Sequence, residues 1–280
     1  AHRPGLAAST GTLARMSTRS GPPSRVILVA STPRSGSTLL CLAMAGTGRL
    51  GDPREYLDLA SLREDRHGIG RVHFTPRARA GRLRRRLAHD PRWPHHLNQS
   101  RFTQRTVHRV LDRLAQRHTI DGVLSVKVMW GAYSWMFLAH GLDAGYWGVP
   151  VSWVRIQRRD RLAQALSFQR AITTEAWTAT MRPSGEPTYD RAGIDHAMRF
   201  IDHAERSWDT HFAEIGEEPL TVTYEELDAN YEATVRAVLD HLGAPAAPVP
   251  PRQLERQADA LTAKWRARYL AESETPASAS

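Results

Sequence analysis

Residues 26–38 decide most of what this chain can fold into. Val26-Ile27-Leu28-Val29-Ala30 is an unbroken apolar run rich in β-branched side chains. A run without polar alternation fits a strand buried on both faces, the situation inside a parallel sheet. Ser31-Thr32-Pro33-Arg34-Ser35-Gly36-Ser37-Thr38 follows, and then the apolar stretch Leu39 to Ala45. Proline and glycine end the strand, and the apolar stretch resumes as a helix. The predicted unit is strand, tight loop, helix.

The alternation recurs downstream. Leu124–Val128, Val151–Ile156 and Leu220–Thr223 read as strands. Val107, Val110, Leu111 and Leu114 fall at helical spacing. A helix is predicted from about Asp160, whose carboxylate suits an N-cap. Ile194, Met198, Ile201, Trp208, Phe212 and Ile215 mark a long amphipathic helix. Val235, Val238, Leu239 and Leu242 mark a last strong one, closed by Gly243. Strands alternating with helices predict an α/β fold, a central parallel sheet flanked by helices. A chain of 280 residues suits one such domain. It is expected over residues 25–270, between an N-terminal tail (1–24) and a C-terminal tail (271–280). Gly48 to Asn98 is poorly periodic and reads as an excursion around an active site.

Charge is uneven. The net value is +9, yet residues 1–25 hold four arginines and no acid, and residues 77–92 hold seven arginines and one aspartate. The rest of the chain is close to neutral, so the fold itself is not basic. The Arg77–Arg92 stretch reads either as a solvated face or as a segment binding nucleic acid, a membrane surface or an anionic substrate. The least charged window, Trp130 to Val154, is broken by Gly131, Gly141, Asp143, Gly145 and Pro150, so no membrane span is expected. The first 24 residues lack the apolar centre of a secretory signal. The single cysteine, Cys41, excludes an internal disulfide and a multi-cysteine zinc site. It suits a reducing, cytoplasmic setting. The 13 histidines are scattered and His95-His96 is an adjacent pair, so no metal centre is expected.

The loop Pro33-Arg34-Ser35-Gly36-Ser37-Thr38 carries the chemistry. A helix N-terminus presents backbone N–H groups without intrahelical partners and about half a positive charge. Phosphate and sulfate bind there. Gly36 lets the backbone approach such a ligand, the hydroxyls add donors, and Arg34 adds a permanently charged fork. The loop departs from G-x-x-x-x-G-K-[ST], and no strand ending in an acidic magnesium ligand follows, which speaks against ATP hydrolysis.

TPRSGSTLL directly after VILVA resembles the 5′-phosphosulfate loop of sulfotransferases. These use 3′-phosphoadenosine 5′-phosphosulfate (PAPS), and the bacterial trehalose 2-sulfotransferase-like branch is the nearer match. Further segments agree in order: G-D-P-R-E-Y at Gly51–Tyr56, V-K-V-M-W at Val126–Trp130, R-R-D-x-x-x-Q-A-x-S-F at Arg158–Phe168 and E-R-Q-A-D at Glu255–Asp259. The resemblance implies a P-loop-like sulfotransferase fold and sulfuryl transfer from PAPS to a hydroxyl of a carbohydrate, glycolipid or glycosylated natural product. It implies that Arg158 and Ser167 hold the 3′-phosphate, with Arg159 competing for the arginine's role. It gives Glu55 as the catalytic base, while Lys127, at the Val126–Trp130 strand end, reads as offsetting charge on the transferring group. The segment from Glu255-Arg256-Gln257-Ala258-Asp259 through Trp265 and Arg268 reads either as a basic loop across the nucleotide or as an amphipathic tail helix. Trp177 follows the Ser167 helix where the family approaches its acceptor. Family members often dimerise. Two rival readings stand beside this one: a nucleotide-dependent kinase, and a non-catalytic nucleic-acid or anion binder using Arg77–Arg92.

Overall fold

The structure, a computed structural model, describes residues 21–70, 103–177, 181–182, 184–254 and 260–274. The Arg77–Arg92 stretch, His95-His96, Arg256 and Gln257 lie outside the described residues, as does most of both expected tails. Five strands form one sheet among them: β1 (Arg25–Ser31), β2 (Thr119–Ile120), β3 (Val123–Met129), β4 (Val151–Gln157) and β5 (Leu220–Thr223). Their spatial order is β2-β3-β1-β4-β5. The helices are α1 (Ser37–Gly46), α2 (Leu59–Glu64), α3 (Gln104–His118), α4 (Trp130–Met136), α5 (Arg161–Thr174), α6 (Arg191–Ile215), α7 (Tyr224–Ala229), α8 (Tyr231–His241) and α9 (Ala260–Glu274).

β1 pairs in parallel with β3 on one side and β4 on the other. A strand so placed has no solvent face, and Val26 through Ala30 are fully buried. Val26, Leu28 and Ala30 pack with α3, α4 and Trp208, while Ile27 and Val29 pack with α1 and α8. A third cluster joins Leu166 of α5, Ile201 of α6 and Trp265 of α9. The mixed α/β sheet flanked by helices is the predicted fold class, and all four predicted strands are present.

Two features differ from the sequence reading. β2 is a short antiparallel edge strand. Asp121 and Gly122 both sit at positive φ (48° and 79°), the two-residue turn whose twist suits a hairpin. α9 runs from Ala260 through Glu274, where a polar tail was read from Ala271.

Beyond β2, the outer edge of β3 is taken by the 51–56 segment. Arg54 bridges Val126 in parallel, and the Lys127 N–H donates to the Arg54 carbonyl at 3.0 Å. Tyr56, fully buried, ties the turn by donating to the Asp52 carbonyl at 2.8 Å. The expected excursion therefore returns Glu55 to the sheet. Because β1, β3, β4 and β5 run the same way, the segments after all four open at one edge, where ligands bind in open α/β sheets.

Candidate active site

A cleft of about 1060 Å³ occupies that edge. Every parallel strand sends a lining residue to it: Arg34 and Ser37 after β1, Lys127 at the end of β3, Arg158 after β4 and Tyr224 after β5. α5 adds Ser167 and Arg170, and α9 adds Arg266. Among the described residues the charged lining is lopsided, with Arg34, Lys127, Arg158, Arg170, Arg252 and Arg266 set against Glu55 and Asp160.

The phosphate loop has the conformation its residues allow. Gly36 has φ +89° and is the N-cap of α1, with no side-chain cap bond. A Cβ there would lie 2.6 Å from Tyr224 Cδ2, so glycine is required twice, by the backbone and by the close approach of Tyr224. Arg34 also sits at positive φ (62°), a conformation costing an L-residue about 1–2 kcal/mol. Ser35 is fully buried and its hydroxyl makes no hydrogen bond. It is not among the residues lining the cleft, whereas Pro33, Arg34, Gly36, Ser37 and Thr38 are.

The downstream anion residues meet this loop. Arg34 Nε donates to Ser167 Oγ at 2.9 Å, and Arg34 Nη1 donates to the Trp177 carbonyl at 2.6 Å. Arg158 lies over the Tyr224 ring at 4.6 Å and reaches the Arg34 carbonyl at 3.5 Å. Arg170 Nη1 donates to Thr262 Oγ1 at 2.7 Å. Burial, then the like charges of Arg158 and Arg170, pull the Arg34 pKa below its ordinary value. The geometry separates the two competing arginines. Arg158 lines the cleft, whereas Arg159 is exposed, pairs with Glu226 and is not among the lining residues.

Also lining the cleft, Lys127 Nζ pairs with Glu55 Oε2 at 2.8 Å. Burial acts against the Lys127 charge, but the surrounding negative groups, Glu55 foremost, together raise its pKa. Cys41 nearby is buried inside α1, and burial pushes its thiol up to about 12. It is a packing residue. Trp177 is 42% exposed at the cleft, unlike Trp135, Trp153, Trp208 and Trp265, which are core.

Arg266 falls in the segment through Arg268 that the sequence offered for the nucleotide, here helical, whereas Tyr224, Arg170 and Arg252 carry no sequence signature of their own. Of these three only Arg170 had a local cue, one helical turn beyond Ser167. Among the described residues no three His, Cys, Asp or Glu side chains gather as a metal site.

The chain matches the family model described as Stf0 sulphotransferase over residues 26–272. It is 30% identical over 271 residues to a trehalose 2-sulfotransferase of Mycobacterium tuberculosis, covering 89% of this chain and 95% of that one. A trehalose 2-sulfotransferase of Mycolicibacterium smegmatis is 27% identical over 275 residues, covering 86% and 93%. Among solved structures, the sulfotransferase domain of the Synechococcus PCC 7002 olefin synthase gives a TM-score of 0.43 at 18% identity, covering 88% of each chain.

Proposed function

We propose that this chain, which belongs to the Stf0 sulphotransferase family, moves the sulfuryl group of PAPS to a hydroxyl of a sugar-containing acceptor and releases adenosine 3′,5′-bisphosphate. One observation carries the reading: the phosphate loop and the Arg158–Ser167 pair open into one cleft, with Arg34 bonded to Ser167 at 2.9 Å. A nucleotide carrying two anionic groups, one for each of these adjoining clusters, fits that arrangement, and a single phosphate does not need it. The donor set also fits such a ligand. Gly36, Ser37 and Thr38 line the cleft at the start of α1, and the cationic lining outnumbers its carboxylates.

In this reading the loop N–H groups, Ser35, Ser37 and Thr38 hold the phosphosulfate, and Arg158 with Ser167 holds the 3′-phosphate. PAPS supplies a sulfur already bonded to a good leaving group. A bond forms from the acceptor oxygen to sulfur as the bond from sulfur to the 5′-phosphate oxygen breaks. Glu55 takes the acceptor proton. Arg34 and the α1 N-terminus stabilise the charge that returns to the 5′-phosphate. Lys127 fixes the Glu55 carboxylate through its 2.8 Å contact. The exposed face of Trp177 suits the apolar side of a sugar ring. Trehalose, the acceptor named for the two relatives, is the first sugar to test.

The test is incubation with sulfur-labelled PAPS and a panel of sugars, glycolipids and phenols. Label on a sugar hydroxyl is the expected result. Label on phenols alone would remove the acceptor class. No transfer to any acceptor, with phosphate transfer from Mg–ATP instead, would replace the reading with a kinase.

A further inference from the structure

Glu205 lies on α6, outside the cleft lining, and is 4% exposed. Its Oε1 accepts from Thr32 Oγ1 at 2.8 Å and from Arg161 Nη1 at 3.2 Å. Its Oε2 accepts from Gln157 Nε2 at 2.8 Å and from Arg155 Nη2 at 3.0 Å. These donors come from three places: the root of the phosphate loop, the end of β4, and the first residue of α5. A second buried group closes the circuit. Gln164, fully buried on α5, donates through Nε2 to Thr32 Oγ1 at 3.0 Å and to the Pro33 carbonyl at 2.8 Å. Three residues later on the same helix stands Ser167.

Stability alone does not account for such a hub, because apolar residues of equal volume often replace a buried ion pair without loss. What the hub does supply is a fixed distance. Thr32 and Pro33 set where the loop begins, while Arg161 and Gln164 set where α5 begins. The Glu205 carboxylate joins Thr32 to Arg161, and the Gln164 amide joins Thr32 and Pro33 to the same helix. We propose that Glu205 is a positioning residue that holds the phosphate loop and the Arg158–Ser167 pair at the spacing a doubly anionic nucleotide requires. The proposal rests on the nucleotide reading above. It predicts that loosening the hub penalises ligands that bridge both anion sites more than ligands that use one.

The test compares wild type with Glu205→Gln and Thr32→Val. The valine variant deletes the loop's bond to Glu205 while leaving the Arg155 charge compensated, so it stands in if the glutamine variant does not fold. Calorimetry reads affinity for adenosine 3′,5′-bisphosphate and for adenosine 5′-monophosphate. Hydrogen exchange reads the amides of Thr32 and residues 34–38 against those of α8. In the variants the preference for the bisphosphate should fall roughly tenfold, within the range that small misplacements cost. Monophosphate affinity should change little, and exchange should rise in the loop but not in α8. An unchanged preference with unchanged loop exchange overturns the proposal. So does a uniform loss of both affinities with faster exchange in both regions, which marks a purely structural role. If wild type itself shows no preference for the bisphosphate, the nucleotide reading falls, and the loop exchange alone then decides whether Glu205 positions the loop.

Discussion

Arg34 concentrates several constraints in one side chain. It has a left-handed backbone, bonds to Ser167 and Trp177, and two arginines nearby. Arg34→Ala should weaken bisphosphate binding roughly 10- to 100-fold, the worth of a hydrogen bond to a charged group; calorimetry checks it. Ser167→Ala should reduce the preference for a bisphosphate over a 5′-monophosphate, since one hydroxyl of the second anion site is gone. Gly36→Ala combines a positive-φ cost with a 2.6 Å clash against Tyr224, and should destabilise the protein by about 1–3 kcal/mol in denaturant unfolding. Glu55→Gln should bind nucleotide like wild type and lose turnover by roughly 10²–10⁴-fold, the scale of a missing general base. The residues just named were legible in the sequence because each sits in a local motif. Arg159 was equally legible and stands outside the cleft, since adjacent residues leaving a strand diverge in direction. Its motif could not say which of two neighbours turns inward.

At the scale of elements, caps and edges decide where chemistry stands. Asp160 Oδ1 accepts from the Ala163 N–H at 3.0 Å, the predicted N-cap of α5, and the same carboxylate meets Arg266 of α9 at 2.7 Å. Asp160→Asn keeps an oxygen for the cap and loses only a half-exposed ion pair. Asp160→Ala loses both, so thermal unfolding should show the larger drop for alanine, by about 1 kcal/mol. The 51–56 segment is the less legible case. Its motif marked Glu55, but nothing in its periodicity announced that Arg54 would pair with Val126. A one-residue bridge leaves no pattern, because pattern needs several alternating positions. β2 was missed for the same reason, although Asp121-Gly122 offered the turn signal.

For the whole molecule, burial lowers the pKa of His211, which sits among Trp130, Tyr133 and Trp208. His67, His118, His140 and His196 are lowered too, chiefly by burial. Each of these takes up a proton less readily folded than unfolded. Their contribution to stability is full above the unfolded histidine value of about 6.5 and is lost as pH falls toward the lowered folded values. The melting temperature should therefore drop between about pH 7 and pH 5. His211→Gln, which cannot titrate, should show a shallower drop. A flat profile in wild type would contradict this account.

The chain's own order of residues determined the strand–loop–helix unit, the α/β class and the motif positions of Arg34, Glu55, Lys127, Arg158 and Ser167. These are local or periodic properties, written in adjacent side chains. Tertiary structure alone decided that Arg34 meets Ser167 across 133 positions, that Arg170 and Arg266 join the same cleft, and that Glu205 grips Thr32 across 173. Parallel pairing of β1, β3, β4 and β5 brings the ends of distant segments to one sheet edge. Contacts made there depend on strand order and register, which no window of sequence contains.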